Sequence, residues 1–124
     1  MSTQAANIIL VVDDSPTELQ MLTAPLKTKG YTIITAVDGD EAIEKACSLR
    51  PRLMLLDVVM PKKNGFQVCR QLKNSPDTQN IKIIMISSKN QESDKFWGIK
   101  QGADEYMIKP FDEKTLLATV AKFM

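Results

Sequence analysis

No histidine occurs anywhere in the 124 residues. That absence excludes imidazole as a general acid or base, Ser-His and Cys-His nucleophilic pairs, histidine ligands to a metal, and a phosphohistidine carried by the chain itself. Cysteine is scarce too. Cys47 and Cys69 stand singly in helical-looking segments, a spacing that suits neither a zinc site nor a CxxC redox pair, so both read as reduced packing or surface residues. An excess of charge of one sign is also missing. Lys+Arg 16 against Asp+Glu 15 leaves +1, so no overall field recommends nucleic acid or an anionic membrane as partner. No apolar run approaches the roughly 18 residues of a membrane span. The opening MSTQAAN lacks the charged and apolar regions of an export signal, and the expected location is the cytoplasm.

What is present fits one globular domain over residues 1–124, with 44% hydrophobic and 25% charged residues and no linker, repeat or low-complexity tract. Two kinds of segment alternate. Residues 8–12, 33–37, 53–56 and 81–86 are nearly continuous aliphatic runs, as strands buried on both faces must be, and a weaker fifth covers 105–108 after the turn signal QGAD. Between them apolar residues recur at helical spacing: Leu19, Leu22 and Leu26, then Ala42, Ile43 and Ala46, then Phe66, Val68, Cys69 and Leu72, and finally Leu116, Leu117, Val120 and Phe123. Trp97 falls on a fourth helix and reads as a packing residue. Five strand-helix units imply right-handed crossovers and an α/β fold: a doubly wound, five-stranded parallel sheet with five helices.

Helix punctuation agrees. Ser15-Pro16 supplies an N-cap and an N1 proline, Glu18 sits where a capping box would place it, and Asn64 can cap the third helix before Gly65. Gly30 suits the residue just past the first helix. Pro25 objects, because it removes a backbone donor inside that helix, and the expectation is a kink near residues 21–24 or an early end.

In such a sheet ligands bind beyond the carboxyl ends of the strands, near the switch in strand order. Strand one ends in Asp13 and Asp14, strand three in Asp57, strand four in Ser87 and Ser88, and strand five in Lys109. Three aspartates together in a partly desolvated cleft repel one another unless something positive sits among them. A hard divalent cation such as Mg²⁺ suits carboxylate and carbonyl oxygens. Lys109 beside it offers a point charge, and Ser87 a hydrogen bond, to a phosphoryl group. Phosphoryl transfer is mainly positioning and charge neutralisation, so the cluster reads as an aspartate that accepts phosphate. Taken singly, Asp14 is a turn residue, Ser87 a satisfied hydroxyl and Lys109 a surface charge; their joint placement at four strand ends is what argues for a site.

The spacing of DD, LLDVVMPKKNGF, IIMISSK and YMIKPF resembles the receiver domain of two-component response regulators over essentially the whole chain. That resemblance implies the flavodoxin-like strand order 2-1-3-4-5, with Asp57 as phosphoacceptor. It also implies a Mg²⁺ site formed by Asp13, Asp14, Asp57 and the backbone carbonyl of Val59. Ser87 and Lys109 would contact the phosphoryl oxygens, Tyr106 would be the switch aromatic, and the bond from Lys109 to Pro110 would be cis. Val59 and Lys89 occupy positions that influence how fast phosphate is lost in this family. The two lysines of PKKNG put positive charge beside the site.

The chain stops at Met124, soon after the fifth helix, so the expectation is a stand-alone receiver, monomeric, that signals through a surface and not through an output domain. The resemblance to chemotaxis-type receivers implies a sensor histidine kinase of the CheA-like kind upstream. Downstream it implies a motility or control protein that docks on the fourth helix, fifth strand and fifth helix, with Lys95, Trp97, Lys100, Tyr106 and Lys122 as candidates. DDSPTELQ and KFWGIKQGADEYMIKPFDE are especially similar to PilH-type regulators of twitching motility. Neither nucleic acid nor a membrane is expected as partner. Two alternatives stay open: a phosphate sink or relay without its own output, and a flavodoxin-like cofactor binder whose flavin phosphate the strand-end aspartates would repel.

Overall fold

Successive side chains on a strand point to opposite faces, and here both faces are covered, which is why the strands read as unbroken apolar runs. Leu10 and Val12 join Met54, Leu56, Ile83 and Met85 in one core layer, while Ile9 and Val11 join Leu53, Leu55, Ile84 and Ile86 in the other. The computed structural model describes residues 5–124, with side chains from residue 7 onward, so the start of MSTQAAN lies outside the described residues.

The elements run β1 (Ala5–Val12), α1 (Pro16–Thr28), β2 (Thr32–Ala36), α2 (Gly39–Leu49), β3 (Pro51–Asp57), α3 (Gly65–Lys73), β4 (Lys82–Ser87), α4 (Glu92–Lys100), β5 (Glu105–Ile108) and α5 (Glu113–Ala121). The strands form one parallel sheet in the order β2-β1-β3-β4-β5. Leu22 and Leu26 of α1 and Leu116 and Val120 of α5 cover one face. Ala42 and Ala46 of α2 and Val68, Cys69 and Leu72 of α3 cover the other. The five-unit α/β reading holds, with shifted bounds. β3 extends to Pro51 and Asp57, and β2 stops before Val37, which is 49% exposed and donates its amide to Glu41 at the start of α2. No described helix is long and apolar enough to cross a membrane.

The expected early end of α1 at Pro25 does not occur: the helix runs on to Thr28. Proline costs the Met21 carbonyl its intrahelical donor, but Met21 is 60% exposed and has water to turn to. Leu26, one residue later, is completely buried, worth about 1.5 to 3 kcal/mol, which holds the last turn in place. That turn closes as a Schellman motif, in which Gly30, at φ 93°, donates to Lys27 and Tyr31 donates to Leu26.

The capping box at Ser15 is only half formed. Ser15 Oγ accepts from the Glu18 amide at 3.3 Å, but the Ser15 amide donates to Asp13 Oδ1 at 3.0 Å, and the Glu18 carboxylate points elsewhere. Asn64 and Gln67 of α3 do form the reciprocal box, and the Gly65 amide donates to the Val58 carbonyl at 2.8 Å, which ties α3 to the end of β3.

Candidate functional site

The register sets the site. Val12 lies beside Leu56, Asp57 beside Ile86 and Ser87 beside Ile108, so the residues at or just past these strand ends come out on one edge. The chain reverses its direction of winding between β1 and β3, and Asp13 and Asp57 flank that switch. Carboxylate oxygens of Asp13, Asp14 and Asp57 lie within 4.8 Å of one another. Asp13 is buried, Asp57 is only 9% exposed and Asp14 faces solvent.

One cation answers this charge among the described residues. Lys109 Nζ donates to Asp13 Oδ2 at 3.0 Å and lies 2.9 Å from Glu18 Oε1 and 3.5 Å from Asp57 Oδ1. Its backbone amide donates to the Ser87 carbonyl at 2.8 Å, and the bond to Pro110 is cis, as the resemblance implies. Burial disfavours the ammonium, but hydrogen bonds to Glu18 and Asp13 and the charge of Asp57 outweigh it and raise the Lys109 pKa above the ordinary lysine value. The single cation does not balance the aspartates. Burial first, and the Asp13 charge second, push the Asp57 carboxyl up to about 6 against the pull of Lys109. A site that already strains to ionise its central carboxylate has room for more positive charge, and three clustered carboxylates are the hard oxygen donors Mg²⁺ prefers. The residues fit that ion.

Ser87 is buried at the end of β4, where its Oγ accepts from the Lys89 amide at 3.1 Å. The Tyr106 hydroxyl donates to the Lys89 carbonyl at 2.9 Å, which puts it on the same β4–α4 loop. Burial raises the phenol pKa, offset in part by the Ser87 hydroxyl beside it. The ring packs where α4 lies close to the sheet: a Cβ on Gly98 would fall 2.9 Å from a Tyr106 ring carbon and 3.0 Å from Met85 Sδ. Val59, two residues past Asp57, is 58% exposed. Cys47 and Cys69 are both free, and burial pushes the Cys69 thiol up to about 12, which leaves it unreactive.

Three sequence expectations change. Trp97 is not a buried packing residue: it is 49% exposed and lines a shallow cleft with Phe66, Gln67 and Arg70 of α3. Helix α4 buries only Gly98, and its neighbours Phe96, Trp97 and Ile99 must therefore turn outward. The PKKNG lysines have acidic partners of their own. Lys62 lies 3.9 Å from Asp38 and Lys63 3.2 Å from Asp40, both at the start of α2. Glu18 is the residue that sequence reasoning misassigned, as a capping partner. Its signal was a carboxylate one turn into the helix that begins at the aspartate pair.

Residues 9–121 match the family described as the response regulator receiver domain, and the chain belongs to that family. Receiver domains are signalling modules of two-component systems that work with histidine kinases and downstream targets and bind Mg²⁺ at an acidic site. Among individual proteins, the chain is 46% identical to Protein PilH of Pseudomonas aeruginosa over 112 residues, 90% of this chain and 93% of that one. It spans about half or less of several longer regulators it also matches. The chemotaxis response regulator CheY4 of Vibrio cholerae superposes with a TM-score of 0.89 at 33% identity, covering 98% of this chain and 100% of that one. The receiver domain of the sensor histidine kinase PA1611 of Pseudomonas aeruginosa, solved with a magnesium ion coordinated in its active-site cleft, shares the fold at a TM-score of 0.87 and 24% identity.

Proposed function

We propose that Asp57 accepts a phosphoryl group from a histidine kinase and that this modification switches a protein-binding face controlling motility. The observation that carries the reading is the cluster of Asp13, Asp14 and Asp57 carboxylates within 4.8 Å of one another, bridged on one side by Lys109. In the transfer, an Asp57 oxygen attacks phosphorus as the bond from phosphorus to the donor's imidazole nitrogen breaks and that nitrogen keeps the electron pair. Lys109 pairs with the phosphoryl oxygens, and Ser87 donates a hydrogen bond to one of them. Asp13, Asp14, Asp57 and the Val59 carbonyl would hold Mg²⁺, which supplies charge neutralisation on the phosphoryl oxygens. The chain thus assists its own phosphorylation and dephosphorylation.

Tyr106 reports the state of the site. Its hydroxyl is bonded to the loop that begins at Ser87, so a shift of Ser87 toward a phosphoryl group changes what Tyr106 can bond. The output face runs over α4, β5 and α5, with Lys95, Lys100, Tyr106 and Lys122 on or beside it. The likeness to PilH supports a role in the control of motility.

Intact-mass spectrometry after incubation with phosphoramidate tests the assignment. Wild type should gain one phosphoryl group only when Mg²⁺ is present, and Asp57→Asn should gain none. An unmodified wild type that is fully folded, or modification that survives in Asp57→Asn, defeats the reading.

A further inference from the structure

Lys109 is surrounded by more carboxylates than it can serve well. An ammonium has three hydrogens to donate. Two go to short contacts, Asp13 Oδ2 at 3.0 Å and Glu18 Oε1 at 2.9 Å, and Asp57 is left with the long one at 3.5 Å. The two short partners differ in what they lose on release. The Asp13 side chain is 2% exposed, so removing Lys109 would strand a buried carboxylate. The Glu18 side chain is 35% exposed and borders an open cavity of about 310 Å³ that Met21, Leu22, Ser88 and Phe111 also line. Glu18 can turn into water at little cost, and Asp13 cannot.

A phosphoryl group on Asp57 brings its negative oxygens to the side of Lys109 that is already in demand. We propose that Glu18 is a restraining residue of this receiver: its carboxylate competes with the phosphoryl group on Asp57 for Lys109 and so limits how fully the site loads. No bond is made or broken by Glu18; one ion pair is exchanged for another, and Glu18 is left facing the cavity. The inference rests on Asp57 being the phosphoacceptor. Because Glu18 is more than a third exposed, solvent screens the competition, and removing it should strengthen loading by about two- to fivefold, the range of a partly exposed ion pair.

Beryllofluoride, a phosphoryl mimic that seats on a carboxylate, provides the test without any turnover. Its binding in Mg²⁺ is followed by fluorine NMR for wild type, Glu18→Gln and Asp57→Asn, at low and at high salt. Glu18→Gln keeps the shape and removes the charge, so it should bind about two- to fivefold tighter than wild type, and the gap should narrow as salt rises, which a merely structural role would not produce. Equal or weaker binding by Glu18→Gln overturns the proposal while leaving Asp57 in place. Absence of binding in wild type and both variants alike overturns the phosphoacceptor reading, and the role of Glu18 falls with it.

Discussion

Two lysines of this chain each face a carboxylate inside the molecule, at opposite edges of the sheet, and their surroundings differ. Lys73 donates to the Ile81 carbonyl at 2.7 Å and to Asp104 Oδ2 at 3.2 Å, and that same oxygen accepts from the Ile83 amide at 2.9 Å. One ammonium, one carboxylate and nearby backbone groups satisfy each other, and the pair fastens α3 and the start of β5 to β4. At the other edge Lys109 answers Asp13, Glu18 and Asp57, with Asp14 close by. A balanced pair holds a fold together, whereas an excess of negative charge stores repulsion that a bound cation can relieve.

Neutralising one acid at each edge should therefore shift stability in opposite directions, and this is the largest effect expected. In metal-free protein at pH 7, Asp57→Asn should stabilise by about 1 to 3 kcal/mol, because it removes a carboxylate whose ionisation the fold opposes. Asp104→Asn should destabilise by about 1 to 3 kcal/mol, because it leaves Lys73 without its counter-charge. Urea unfolding of the two variants measures both, and shifts of the same sign would erase the distinction between the edges.

The pH dependence sharpens the same comparison. Asp57 in the folded, metal-free protein has its pKa raised from 3.8 to about 6, so between those values the folded state binds more protons than the unfolded one. Stability supplied by this group is present at low pH and is lost as pH rises through about 6, the reverse of the usual carboxylate case. Thermal unfolding from pH 4 to 7 should show that loss in wild type, a smaller one in Asp57→Asn, and a reduced one in wild type with saturating Mg²⁺. A profile unchanged by Asp57→Asn would place the imbalance on another group.

The smallest effect concerns the link from the site to α4. Alanine at position 98 gains up to about 1 kcal/mol in helix propensity. Its Cβ would also meet the Tyr106 ring at 2.9 Å and Met85 Sδ at 3.0 Å. Overpacking of this kind costs about 1 to 3 kcal/mol. Gly98→Ala should thus be neutral to mildly destabilising and should displace the Tyr106 ring, read as changed ring-proton shifts by NMR. Unmoved Tyr106 resonances would show that α4 yields instead.

How much of this could be read in advance depended on whether a residue's partners are near in sequence or only in space. The aliphatic runs, the helical spacing and the turn residues already specify five strand-helix units, because burial on two faces leaves no polar positions in a strand and burial on one face leaves a stripe on a helix. Asp13, Asp14, Asp57, Ser87 and Lys109 were legible for the same reason: each terminates an apolar run, and parallel strands bring their carboxyl ends to one edge. Glu18, Trp97 and the PKKNG lysines were not legible. Whether Glu18 caps its own helix or reaches Lys109, 91 residues away, is decided by the competition of two hydrogen-bonding partners in space. Trp97 is turned outward because Gly98 is the residue α4 lays against Tyr106, and no local pattern marks which side of a weakly amphipathic helix that will be. The order of residues thus determined the layers and the edge at which the acids gather. The tertiary structure alone decided how many carboxylates share one ammonium, because that count depends on side chains brought together from α1, the end of β3 and the residues just past β1 and β5, and charge interacts through distance in space and not along the chain.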